Sequence, residues 1–220
     1  MGVLCIAVDN AGANGSVLIC PDSWTDDKGN VWTLRQNALF DNGAASNGIE
    51  MGIYTAPITT ALLTTDAGTM TWKTGVSPVA KAWTWYEATP AVNPVSYSTG
   101  GTIAGAVAGD ATVVTASVAV GDAVIAGWFS ENVVSINGDT DTTNGTWTAQ
   151  QTATVGTGAS GVRIATQQKV QTTTASTQSY SVTHNGEGGV DTVDRIAGYI
   201  MLREVAPGNR RRRVIMCGAR

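Results

Sequence analysis

Trp32-Thr33, followed by Gln36 and Ala38, returns 115 residues later as Trp147-Thr148, followed by Gln151 and Ala153. The register holds beyond that block. Gly43-Ala44 answers Gly158-Ala159, Ile49 answers Ile164, and the Thr-rich stretch from Thr55 to Thr60 answers Val170 to Thr174. After a short shift, Met70-Thr71-Trp72 answers Tyr180-Ser181-Val182, and Trp83 to Glu87 answers Tyr199 to Arg203. An internal duplication of this kind confines the chain to two halves of like pattern that bury their apolar faces against each other or in one continuous core. It is the mark of a scaffold rather than of an enzyme.

The halves have little to build helices from. Of 220 residues 43% are hydrophobic and 14% charged, 26 are Gly, and Thr, Ala and Val outnumber Leu, so the chain should fold, and fold as β. Period-two alternation marks strands at Ile49, Met51 and Ile53, at Met70 and Trp72, and at Val162, Ile164 and Thr166. The runs Val3 to Val8, Ala123 to Phe129 and Ile196 to Leu202 are apolar on both faces and should be central strands. Turn clusters separate them at Asp26 to Asn30, Asp41 to Gly43, Asn137 to Asp139 and His184 to Gly186. The expected architecture is an all-β, jelly-roll-like antiparallel β-sandwich of two pseudo-repeated halves, 1–92 and 93–206, with a basic C-terminal arm at 207–220. Ala88 to Gly101, carrying Pro90 and Pro94, reads as the connector. The second half opens with a segment, Thr102 to Gly121, that includes an alternating strand Thr112 to Val120 and has no counterpart in the first half. Either a strand position stays open there or another segment fills it, and an open edge invites a further strand.

Residues 1–206 hold all 17 acidic and eight of the 13 basic residues, a balance of −9, whereas 207–220 carry +5. A body of that sign repels phosphates, so nucleic acid is disfavoured as a partner. No run of about 18 apolar residues suits a bilayer, and the start lacks a basic n-region, so no membrane is expected and the chain is read as made in the cytoplasm. Cys5, Cys20 and Cys217 form neither a zinc pattern nor a complete disulfide framework. Cys5 reads as a small buried hydrophobe, and a Cys5 to Cys20 bridge is the minor alternative.

Seven Trp stand against two Phe. Trp32 and Trp147 share a repeat position and so a packing role, and Trp72, Trp83 and Trp85 are expected to face inward. Trp24, in the polar loop Asp22 to Asn30, is the candidate for exposure and for contact with a glycan. Asp139, Asp141 and Asn144, and Asp22, Asp26, Asp27 and Asn30, offer oxygens of the type that binds Ca²⁺, but lack the Glu of an EF-hand and read more simply as turns. His184, the sole histidine, comes without a nucleophile elbow, a zinc motif or a phosphate loop, so no catalytic residue, metal or cofactor is assigned. In the arm, Arg210, Arg211, Arg212 and Arg213 precede the apolar Val214, Ile215 and Met216. That order suits a segment lying across an acidic neighbour or adding as a strand to a partner's open edge.

Several of these stretches resemble a known group of proteins: Asp9-Asn10, the run Asp27 to Arg35, Ile53 to Pro57 with Thr59 and Thr60, Ala80 to Trp83 with Glu87, Ala119 to Asp122, Trp147, and Tyr199 to Leu202. Over residues 3–206 the chain is similar to duplicated β-sandwich virion proteins of tailed bacteriophages. The resemblance implies a non-enzymatic structural protein of the virion, assembled in the host cytoplasm. It would be a minor capsid or head decoration or head fibre component, homo-oligomeric and held to other virion proteins, capsid or tail, by strand edges and the arginine arm. The alternative is a tail or spike receptor-binding module for a bacterial surface glycan. A glycan hydrolase, needing two carboxylates across a cleft, ranks last. A decoration protein needs its tail and edges covered in the particle. An adhesin needs an exposed, concave, aromatic-lined patch.

Overall fold

The computed structural model describes residues 1–9, 18–40, 48–62, 65–73, 80–89, 92–103, 111–131, 135–157, 161–185, 194–204 and 213–217. These form an all-β, antiparallel sandwich without helices. The first large sheet comprises β1 (Gly2–Asp9), β2 (Ser23–Thr25), β3 (Val31–Phe40), β4 (Ile49–Ala56) and β5 (Ala80–Thr89), joined by β14 (Arg213–Cys217) from the far end of the chain. Its order is β14-β5-β1-β4-β3-β2. The second comprises β6 (Val92–Ile103), β8 (Ala123–Glu131), β10 (Gln151–Val155), β11 (Val162–Val170) and β13 (Arg195–Glu204), in the order β6-β13-β8-β11-β10. A small third sheet, β7-β12-β9, is built from β7 (Ala111–Val114), β9 (Ser135–Asn137) and β12 (Ser179–Asn185).

The two large sheets thus share one order over five strands, with β14 standing beside β5 where β6 stands beside β13, and β2 extends the first sheet by a sixth. The edge position that the first half leaves empty in sequence is filled by the chain's own C-terminal strand, paired antiparallel from Arg213↔Thr89 to Cys217↔Trp85. The stretch expected to be a connector, Ala88 to Gly101, is mostly strand β6. Edge placement is why Pro94 is tolerated there: it sits opposite Leu202 at a register shift, where the ladder does not need its N–H.

The three runs apolar on both faces are central and buried, as their composition requires. Alternation sorts their side chains between a cluster shared by the two sheets and a separate cluster on the outer face of each. Val3, Cys5 and Ala7 of β1, and Ala80, Ala82, Tyr86 and Ala88 of β5, meet Ile125 and Phe129 of β8, Ile164 of β11 and Ile196, Ile200 and Leu202 of β13 in one cluster between the sheets. Thr166 ties the layers together, 2.8 Å from the Thr84 hydroxyl and accepting from the Tyr86 hydroxyl at 2.7 Å. The halves therefore share a single continuous core. Residues of opposite parity point away from it, to the outer faces, where the halves diverge.

Candidate functional site

The outer face of the second sheet is roofed. Val124, Ala126 and Trp128 of β8 and Ala197, Tyr199 and Met201 of β13 pack against Val113 of β7, Ile136 of β9, and Tyr180 and Val182 of β12, with Val118 and Trp147 completing the cluster. The Tyr199 hydroxyl accepts the Ala116 N–H at 3.0 Å, which pins the segment after β7 over the sheet. That bond also explains why the strand expected over Thr112 to Val120 stops at Val114. Ala116 turns its N–H to Tyr199 instead of to a neighbouring strand, and only an isolated bridge, Val118↔Ala175, follows.

Among the described residues the first sheet has no counterpart of β7, and irregular segments cover its outer face. Residues 70–73, expected as a strand by analogy with Tyr180-Ser181-Val182, are irregular, because the strand against which β12 pairs is missing in this half. Lys73 N–H still bonds Ile19 O at 2.9 Å, and the buried Glu50 carboxylate takes the Ile19 and Cys20 N–H groups at 2.8 and 2.9 Å. What this cover leaves is an open groove of about 620 Å³. Its floor is Leu4 and Ile6 of β1 with Lys81, Trp83 and Trp85 of β5, and its walls include Trp24, Trp32, Met70 and Trp72.

One wall is braced by Asp26. Its Oδ1 accepts the Lys28 and Asn30 N–H groups at 3.0 and 2.9 Å, and its Oδ2 accepts Asn30 Nδ2 and Trp32 Nε1 at 3.0 Å each. Burial alone would raise this carboxyl, but the donors from Trp32, Asn30 and Lys28 outweigh it and hold it below the ordinary range. Asn30 carries the brace onward by accepting the Thr59 N–H at 2.9 Å and donating to Thr60 O at 3.0 Å. Trp24 lies parallel to Trp32 with ring centroids 5.4 Å apart. Its other side is against Gly68, where a Cβ would come within 2.4 Å of the indole, so only glycine fits. Gly68 also bridges to Asp26.

The structure corrects the sequence reading of the tryptophans. Trp83 and Trp85 face outward, not into the core, because the inward parity of β5 is taken by Ala80, Ala82, Thr84, Tyr86 and Ala88. Trp83, opposite Ile6, is 36% exposed. Trp72 lies on the groove wall in an irregular segment. Trp24 is half-buried rather than free in solvent, yet it lines the groove. Trp32 and Trp147 are both buried, in keeping with a shared packing role. The parity of Lys81 and Glu87 with Trp83 and Trp85 was the signal that placed these indoles on an outer face.

The Asp-rich loops spend their oxygens on turns. Asp139 accepts the Asp141 and Ser181 N–H groups at 2.7 Å each, and Asp141 accepts the Thr143 N–H at 3.0 Å and Lys169 Nζ at 2.8 Å. Among the described residues no cluster of three or more His, Cys, Asp or Glu has the arrangement of a metal site. Cys5 and Cys20 are free and lie in different clusters, which rules out a bridge between them, and burial pushes the Cys5 thiol up to about 12. His184 lies within β12 rather than in a loop. Arg210, Arg211 and Arg212 fall outside the described residues, whereas Arg213, Val214, Ile215 and Met216 form β14 on this chain's own β5. No family model, curated protein or solved structure matches this chain.

Proposed function

We propose that this chain is a non-enzymatic binding module of a bacteriophage particle, and that its first-half groove holds a bacterial surface glycan. The observation that carries this reading is the groove itself: open, concave and lined by Trp24, Trp32, Trp72, Trp83 and Trp85, beside carboxylate and ammonium groups. Indoles offer broad, rigid faces for the C–H faces of pyranose rings, and a few polar groups at the rim fix orientation. An aromatic surface of this size left open marks a binding site more readily than a packing defect. Catalysis is not supported by the two carboxylates lining the groove. Asp26 already accepts four N–H donors, and Asp66 is paired with Lys28 at 3.0 Å, so neither is placed to exchange a proton with a substrate.

The head-decoration reading retains one observation. β14 covers β5 only from Trp85 to Thr89, so the Ala80–Thr84 stretch of that edge has no paired strand on that side among the described residues. Cross-linking mass spectrometry on intact particles separates the two readings. Lys28, Lys73 and Lys81 are the informative probes, since Lys169 is buried. Links to tail or spike proteins are the expected result. Links to the major capsid protein alone favour decoration, and absence from the particle removes the virion reading altogether.

A further inference from the structure

The groove has a charge pattern that narrows its ligand. Lys81, Trp83 and Trp85 alternate on β5, so they form one row about 13 Å long on the outer side of the sheet. Both carboxylates of the lining are committed, Asp26 to backbone and indole donors and Asp66 to Lys28. Lys81 is different. It is exposed, its Nζ stands 6.0 Å from the centre of the Trp72 ring, and among the described residues it makes no ion pair. Among the described residues, the lining charge without an ion-pair partner is therefore the Lys81 ammonium, beside an indole at one end of a tryptophan row. The equivalent position in the second half is the buried Ala197, so this charge is peculiar to the open side.

We propose that the groove selects an acidic glycan, with sugar rings stacked over Trp83 and Trp85 and a carboxylate or phosphate of the same chain bonded to Lys81. The inference rests on the glycan reading above and adds the ligand's charge. An exposed ammonium without a carboxylate partner keeps its donors for an anion, and a charge-assisted hydrogen bond to a carboxylate or phosphate is roughly twice as strong as a neutral one. The −9 body opposes a dense polyanion at long range, so the fit is to sparsely charged polymers in which one acidic group meets Lys81 while neutral sugars cover the tryptophans.

The test is to screen the full chain against an array of purified bacterial polysaccharides, neutral and acidic, in parallel with Lys81→Gln and Trp83→Ala. Binding confined to acidic polymers is expected. It should weaken roughly tenfold in Lys81→Gln and with added salt, and vanish in Trp83→Ala. Both substitutions are at exposed positions, and circular dichroism with a thermal melt confirms that the variants fold. Equal binding to neutral polymers, abolished by Trp83→Ala but indifferent to Lys81→Gln, overturns the acidic selection and leaves the glycan reading standing. Binding to no polysaccharide overturns both.

Discussion

The outer faces of the two large sheets lie on strands in corresponding order and are covered differently. On β13, Ala197, Tyr199 and Met201 are buried beneath β7, β9 and β12; on β5 the equivalent row, Lys81, Trp83 and Trp85, opens onto a groove. The strand order beneath them is the same over five strands. What differs among the described residues is the cover: the strands β7, β9 and β12 lie over the second sheet, and irregular segments lie over the first. The comparison teaches that an aromatic row on a sheet is not intrinsically core or site. Its place is set by whether a roof is supplied, and without one the row faces an open groove rather than a packed layer.

The comparison breaks most visibly if the two rows are equally important for stability. Trp128 is fully buried under the roof, with Arg195 5.7 Å from the centre of its ring, and Trp128→Ala should destabilise the fold by about 3–5 kcal/mol. Trp83→Ala, on the open side, should cost no more than about 1 kcal/mol while abolishing ligand binding. Urea titrations of both variants measure the difference. Similar losses at the two sites show that the groove is closed in solution and that Trp83 is core.

The roof also governs how much could be read in advance. The all-β class, the central strands at β1, β8 and β13, and the shared packing of Trp32 and Trp147 follow from local apolar patterns, which carry their own evidence. The groove did not, because it depends on an absence. Residues 70–73 carry the alternation of a strand and fail to become one for want of a partner. The alternation of Trp83 and Trp85 along the strand predicts one shared face, taken as the inner one, whereas Lys81 and Glu87 on the same side, and the small Ala80, Ala82 and Ala88 on the other, argue for the reverse parity. Trp24 was singled out from its polar loop, and it does line the groove, but stacked on Trp32 rather than free. The open edge of the first half and the strand-like Val214, Ile215 and Met216 are each legible in sequence, but that the one fills the other within this chain, rather than on a partner, is written in topology and not in composition.

A smaller difference should separate the two Asp turns. Asp26 accepts four donors and braces the open groove, whereas Asp139 accepts two backbone N–H groups beneath the roof. Asp26→Ala strands buried donors, among them the Trp32 indole, and should cost about 1–3 kcal/mol and disturb the Trp24–Trp32 stack, seen as a change in near-ultraviolet circular dichroism. Asp139→Ala should cost about 1 kcal/mol and leave that signal intact. A change in the signal in both variants sinks the assignment of the brace to Asp26.

A pH-dependent effect is expected at the ends of β1, β8 and β13. Glu131 is nearly buried there, and burial, reinforced by the negative charges of Asp194 and Asp9, pushes its carboxyl up from the ordinary 4.5 to about 7, against N–H bonds from Asp194 and Gly48. A carboxyl raised on folding binds its proton more tightly in the native state, so its contribution is fully present below about pH 4.5 and is lost as pH rises through about 7. Asp26 works in the opposite sense: its carboxyl is depressed, so its contribution is present above the ordinary range and is lost on acidification. The melting temperature should therefore decline gently between about pH 4.5 and 7, and Glu131→Gln, which keeps the shape and removes the charge, should flatten that decline while leaving the acid-side fall intact. Asp26→Asn should do the reverse. If the wild-type melting temperature rises across the neutral window, Glu131 is ionised in the native state, and the fold is stabilised there by its charge rather than by its proton.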